Sequence, residues 1–220
     1  MSSRVSRGLL PVVPAGLCFF ALSLGLNHAR GAVESGFGAF DDEPSHLLTG
    51  LMVRDFLAQG CPDSPLRFAE EYYLHYPKVA FGQWPPVFYV FQAAWTLLLG
   101  TSPWSLIALM SLFSALAGLA VSLALREACG PLWAFVAGGL FLLLPLVQTL
   151  GASVMTELPL ALLCFLAAGR FGKFLDGGRA RDVLAFAGLS VLAILTKGSA
   201  LALAFVPPIG VLLSGRWRLL

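Results

Sequence analysis

The sequence predicts an all-α, polytopic membrane protein, and three observations carry that prediction. The chain of 220 residues is 58% hydrophobic and only 12% charged, whereas a soluble domain carries about 25% charged residues. Its mean hydropathy is +0.82. The charges are also gathered, leaving charge-free stretches at 8–29, 79–125, 128–156, 158–169, 183–196 and 198–215. About 20 apolar residues cross a bilayer, so several of these stretches are long enough to span or nearly so. A soluble enzyme, a disordered tail and a disulfide-stapled secreted domain are excluded by composition. The net charge of +2 leaves no nucleic-acid footprint, so the partner that composition implies is the lipid bilayer.

The first span is expected at 9–27. Arg4 and Arg7 precede it, and Ala29-Arg30-Gly31-Ala32 near its end invites a signal-peptide reading. The apolar run exceeds the roughly 7–15 residues of a signal core, however, which favours a retained helix. An outer loop over 28–103 follows. It opens with the acidic segment holding Glu34, Asp41, Asp42, Glu43, Asp55, Asp63, Glu70 and Glu71, and it is expected to carry interfacial helices at 44–59 and 85–100. The second of these starts at Pro85-Pro86 and presents Phe88, Tyr89, Phe91 and Trp95, residues suited to the headgroup level. Further spans are expected at about 104–125, 131–150, 154–169, 183–197 and 199–214, the last two forming a short hairpin that turns at Thr196-Lys197-Gly198-Ser199.

Charge decides whether 79–125 crosses once or twice. Two crossings would place Arg170, Lys173, Arg179 and Arg181 outside, against the positive-inside bias. With one crossing, nine of the fourteen Lys and Arg residues face the cytoplasm, giving about +6 inside and −4 outside. A single crossing over 183–214 would bury Lys197 at the bilayer centre, an expensive position for a cation. The acidic loop is therefore expected on the outer face of the membrane.

Four cysteines are present, with no disulfide framework and no metal-ligand spacing. The residues that could carry chemistry fall on the outer side. Asp41-Asp42-Glu43-Pro44-Ser45-His46 opens a segment with Leu47, Leu48, Leu51, Met52 and Phe56 at helical spacing. Spacing alone favours a capping role, with Asp42 as N-cap, Glu43 in the first turn and Pro44 just inside. A carboxylate fixed at a helix start beside the membrane is also well placed as a general base.

The stretch Glu70 to Lys78, followed by Trp84-Pro85-Pro86, reads most simply as an aromatic belt with a snorkelling lysine. The alternative is an anion and sugar-ring site in which Lys78 and His75 face a phosphate. Glu157, in Thr156-Glu157-Leu158-Pro159, is the carboxylate close to the start of its span, and such acids are costly and usually functional. Lys197 reads equally as a snorkelling turn residue and as a phosphate contact.

The order of these motifs resembles the dolichyl-phosphate-mannose protein mannosyltransferase-like superfamily of C-type glycosyltransferases, including the bacterial aminoarabinose transferases and rhizobial lipopolysaccharide sugar transferases. It comprises a basic N-terminus and one helix, an Asp-Glu pair opening a long outer loop, a Pro-Pro-aromatic segment, Thr-Glu-Leu-Pro, and Leu195-Thr196-Lys197-Gly198. The resemblance implies a GT-C-like helix bundle in which Asp42 matches the catalytic carboxylate and Glu43 its partner. Glu157 matches a second acidic position, and Lys197 the lysine of the Thr-Lys-Gly turn. Aminoarabinose transferases have Glu-Lys before the two prolines, where this chain has Gln83-Trp84. A metal or phosphate lysine at that position is therefore not carried over, and Lys78 stands as a replacement cation.

By that resemblance the expected function is transfer of a sugar from a polyprenyl-phosphate donor to a cell-envelope lipid, glycan or protein on the outer face of a bacterial-type plasma (inner) membrane, with inversion at the anomeric carbon. No cofactor is identified, and the place of a divalent metal stays open. The rival classes are a transporter or flippase component, which would line several mid-spans with charge, and a non-catalytic fragment. Because the sequence closes on Arg216-Trp217-Arg218-Leu219-Leu220 directly after an apolar run, and family members are longer, the chain is expected to be the N-terminal membrane half of such an enzyme.

Overall fold

The computed structural model describes residues 12–62, 64–80 and 82–216. Arg4, Arg7, Asp63, Arg218 and the first residues of the 9–27 span lie outside them. The described residues form nine α-helices and two 3₁₀ segments, with no strands among them. Three helices are long and apolar enough to cross a membrane: α1 (Val12–Ala29), α5 (Pro103–Leu142) and α7 (Glu157–Gly177). The chain divides into two compact units, one of residues 1–81 and 89–158, the other of 82–88 and 159–220.

In the first unit, α1 hides the stripe Phe19, Ser23 and Asn27 and exposes Val13, Leu17 and Leu22. A helix that turns small and polar groups inward and leucines outward suits a lipid surround, where apolar side chains lose nothing by facing the solvent. α5 begins at Pro103, with the Ser102 side chain accepting the Ser105 N–H. Gly130 then interrupts it at φ 79°, ψ 166°, followed by Pro131. That positive φ is readily available only to glycine, and it turns the chain back on itself. A Cβ on Gly138 would lie 2.6 Å from the Gly118 carbonyl oxygen, so the two limbs pack backbone to backbone. α5 is thus a hairpin, with its turn at the junction expected between 104–125 and 131–150.

The returning leg is not one helix over 131–150. It breaks at Leu143–Leu144 and resumes as α6 (Pro145–Gly151). Pro145 has no N–H to donate and excludes the α conformation at the preceding residue, where Leu144 is extended at φ −61°, ψ 131°. α1 closes the bundle: Phe19 stacks on Phe135 with ring centroids 4.9 Å apart, and Phe19, Ala115, Leu142, Val147 and Leu158 share one core. At the far end, the Asn27 amide donates to Ser111 Oγ and to the Gly151 carbonyl, both at 2.9 Å and both buried. The Arg30 guanidinium donates to Gln148 Oε1 at 2.7 Å nearby.

The loop helices appear as α2 (Glu43–Ala58) and α4 (Val87–Leu99), close to the expected 44–59 and 85–100, and α3 (Pro65–His75) lies between them. α3 is the element sequence reading did not assign. It starts with the Ser64 side chain accepting the Arg67 N–H and Pro65 in the first turn, and docks through Met52, Ala69 and Val79. The Tyr72 hydroxyl donates to Asp55 at 3.1 Å. Burial, the nearby Asp55 charge and that hydrogen bond push the Tyr72 phenol well above its ordinary range.

In the second unit, α7 is followed by α8 (Ala180–Ile194), a 3₁₀ segment over Gly198–Phe205 and α9 (Val206–Ser214). Ala167, Ala193, Ala200 and Leu203 form its core. α8 runs back along α7, with the Phe171 and Phe186 rings 5.2 Å apart. The chain turns at Leu195–Lys197 and then runs forward until Gly210 meets Phe171 and Leu175. The chain thus reverses within 183–214, but its second limb begins in 3₁₀ form and is helical only from Val206, and neither limb is among the helices long and apolar enough to cross a membrane.

Candidate functional site

The first unit gathers its polar side chains at the start of α2. Pro44, the second residue of that helix, suits a position where an N–H has no intrahelical partner. Glu43 is almost fully buried, at 1% exposure. One carboxylate oxygen accepts the Ala39 N–H and the other the Val154 N–H, each at 2.8 Å. A buried carboxylate needs such partners, and this one fastens the loop before α2 to the segment entering α7.

Asp42 differs from its neighbour. It occupies the N-cap position with φ −87° and ψ −14°, and its side chain makes no cap hydrogen bond. Its backbone carbonyl accepts the His46 N–H at 3.0 Å, while the side chain is exposed. The capping role that spacing favours is therefore not performed by the Asp42 carboxylate, because an N-cap side chain reaches the open N–H groups from an extended backbone, and here the backbone is already helical.

Behind these carboxylates, α2 and α4 meet through polar faces. His46 Nδ1 lies 2.8 Å from the Tyr89 hydroxyl, and both residues are buried. One turn on, the Gln92 side-chain amide donates to the Leu47 carbonyl at 3.0 Å. Gly50 leaves room for it, since a Cβ there would meet the Gln92 amide at 2.2 Å. α4 thus buries Tyr89, Gln92, Ala93 and Thr96 and exposes Val90, Phe91, Leu97 and Leu98. Of the aromatics expected at the headgroup level, Phe88 and Tyr89 are instead buried, while Phe91 is exposed. The Trp95 indole N–H donates to the Ser105 carbonyl at 2.8 Å, which ties α4 to the first turn of α5.

The Tyr89 phenol is raised well above its ordinary range, first by burial and then by the negative charges of Asp42 and Glu157. It stays an O–H donor at neutral pH and can donate to His46 Nδ1. Glu157 itself is the first residue of α7 and partly buried.

The predicted phosphate contacts are more scattered. His75 is exposed at the end of α3, its Nδ1 3.1 Å from the Glu71 carbonyl, a contact that suits a ring N–H at a helix C-terminus. Lys78 is exposed in the following turn. Two residues later the Ala80 N–H donates to Thr49 Oγ1 at 3.1 Å, which fixes that turn to α2. Lys197 belongs to the second unit, extended at φ −156°, ψ 132°, with its backbone N–H on the Ala193 carbonyl. Among the described residues no group of three His, Cys, Asp or Glu side chains is arranged to hold a metal ion.

Sequence reading missed the His46–Tyr89 pair and the anchoring of Glu43 by Val154, since both link distant segments and leave no local signal. The chain matches no family model, no curated protein and no solved structure.

Proposed function

We propose that this chain forms the membrane region of a glycosyltransferase that moves a sugar from a polyprenyl-phosphate donor to a hydroxyl of a cell-envelope acceptor, with Asp42 as general base. The observation that carries the reading is the division of labour in the Asp-Glu pair. Glu43 is buried and held by two backbone N–H groups, while the adjacent Asp42 is exposed and committed to no cap. A carboxylate fixed by a rigid neighbour and open to solvent suits proton abstraction. The motif order given above supplies the reaction class.

In the proposed reaction the acceptor O–H proton passes to the Asp42 carboxylate as the oxygen bonds to the anomeric carbon. The bond from that carbon to the phosphate oxygen breaks, and its electron pair leaves with the polyprenyl phosphate. A single displacement of this kind inverts the anomeric centre, by analogy with opposite-face attack in inverting glycosidases. A cation stabilises the departing phosphate, and within the first unit Lys78, in the turn tied to α2, fits that role. Glu43 acts as a positioning residue.

The test is turnover by the full-length protein in proteoliposomes supplied with a polyprenyl-phosphate hexose and envelope extract. The expected result is release of polyprenyl phosphate matched by glycosylated acceptor of inverted configuration. Transport of the donor without cleavage would instead support the flippase reading.

A further inference from the structure

The second unit carries a polar cleft that the proposed chemistry does not use. It lies where α7 ends and α8 begins, has a volume of about 390 Å³, and is lined by Arg170, Lys173, Asp176, Arg179, Arg181 and Asp182. Four cations against two carboxylates leave a net charge of +2 on its walls.

Asp182 is buried in the first turn of α8 and faces Arg170 at 3.5 Å and Arg181 at 3.9 Å. Those two guanidinium groups are thereby partly neutralised and held in place. Lys173 and Arg179 form no ion pair among the described residues. Arg179 folds back over Gly177, whose Cβ position is 3.6 Å from its Nε. Arg216 donates to the Leu175 carbonyl in the last turn of α7.

The surroundings are apolar. The charge-free run 158–169 ends one residue before Arg170, so the cleft borders the apolar stretch of α7. Leu184, two residues after Asp182, is 72% exposed, and Phe165 and Leu166 are also exposed on α7. A free phosphate would use the cations alone, whereas a phospholipid would use the cations for its headgroup and these side chains for its acyl chains.

We propose that this cleft binds the phosphodiester headgroup of an anionic phospholipid, with Lys173 and Arg179 as the principal contacts. The pairing follows the general behaviour of basic pockets between membrane helices, in which each cation near the surface strengthens anionic lipid binding about 5-fold. The inference is independent of the catalytic reading, because it concerns only the second unit.

The experiment titrates phosphatidylglycerol onto delipidated full-length protein in neutral detergent and counts bound lipid by native mass spectrometry. Phosphatidylcholine and inorganic phosphate are titrated in parallel. The Lys173→Gln/Arg179→Gln variant should bind phosphatidylglycerol about 25-fold more weakly, and Lys173→Gln alone about 5-fold, with phosphatidylcholine binding unchanged. The exposed Lys173 makes the single variant a safe reference should the double variant unfold. Equal phosphatidylglycerol affinity in wild type and Lys173→Gln would overturn the proposal. So would inorganic phosphate binding as tightly as the lipid, which would mark a site for the free anion.

Discussion

The carboxylate of Glu43 accepts the backbone N–H of Val154 at 2.8 Å, joining residues 111 positions apart. A contact so distant in sequence and so deeply buried holds the start of α2 against the segment that leads into α7. It also explains why a charged residue occupies a site with 1% exposure.

Glu43→Gln is expected to destabilise the protein by about 1.5–3 kcal/mol, the range for hydrogen bonds to a charged group. Glutamine keeps one acceptor oxygen but turns an NH₂ toward the second N–H, so one of the two contacts is lost. Thermal unfolding in detergent measures this, with Asp42→Asn as the reference. The exposed, non-capping Asp42 predicts little change in the reference.

Gly138→Ala is expected to cost about 1–3 kcal/mol, as overpacking does in a close-packed interior. Its methyl would lie 2.6 Å from the Gly118 oxygen and 2.7 Å from the Phe19 ring. Gly139→Ala meets nothing nearer than Phe19 at 4.0 Å and should be neutral, or stabilising through helix propensity. Similar losses for both variants would show that the two α5 limbs do not meet at Gly118 and Gly138.

Two native cysteines report on membrane orientation within the first unit. Cys61 lies in the turn beyond α2 and Cys129 beside the α5 hairpin turn, and both are exposed. In variants keeping one of them and replacing the other three cysteines by serine, an impermeant maleimide added to intact cells should label Cys61. Cys129 should react only after the membrane is opened, following the positive-inside arrangement. The reverse pattern would place Asp42 on the cytoplasmic face and exclude the outer-face reaction.

Much of the helix layout is legible in the sequence because its signals are local. Charge-free runs mark α1, α5 and α7. Gly130-Pro131 marks the hairpin turn, and Asp42-Glu43-Pro44 marks the start of α2. α3 escapes because its acidic and aromatic surface resembles a headgroup belt, although Ser64-Pro65 is a usable start signal. The break in the 131–150 leg rests on Pro145 alone within an otherwise uniform apolar run. The candidate site is legible only in part. Residue types single out Asp42, Glu43 and Glu157, but which carboxylate is buried depends on the N–H groups of Ala39 and Val154. The partner of His46 is likewise fixed by the packing of α4 on α2. Such tertiary choices leave no trace in spacing.

The most direct measurement is sugar transfer by Asp42→Asn and Asp42→Ala, made with full-length protein, a polyprenyl-phosphate sugar donor and equal folded fractions. Since the Asp42 side chain caps nothing, both variants should fold like the wild type, and both should lose about 10²–10⁴ in rate with the general base removed. Wild-type turnover by Asp42→Asn would contradict the central claim.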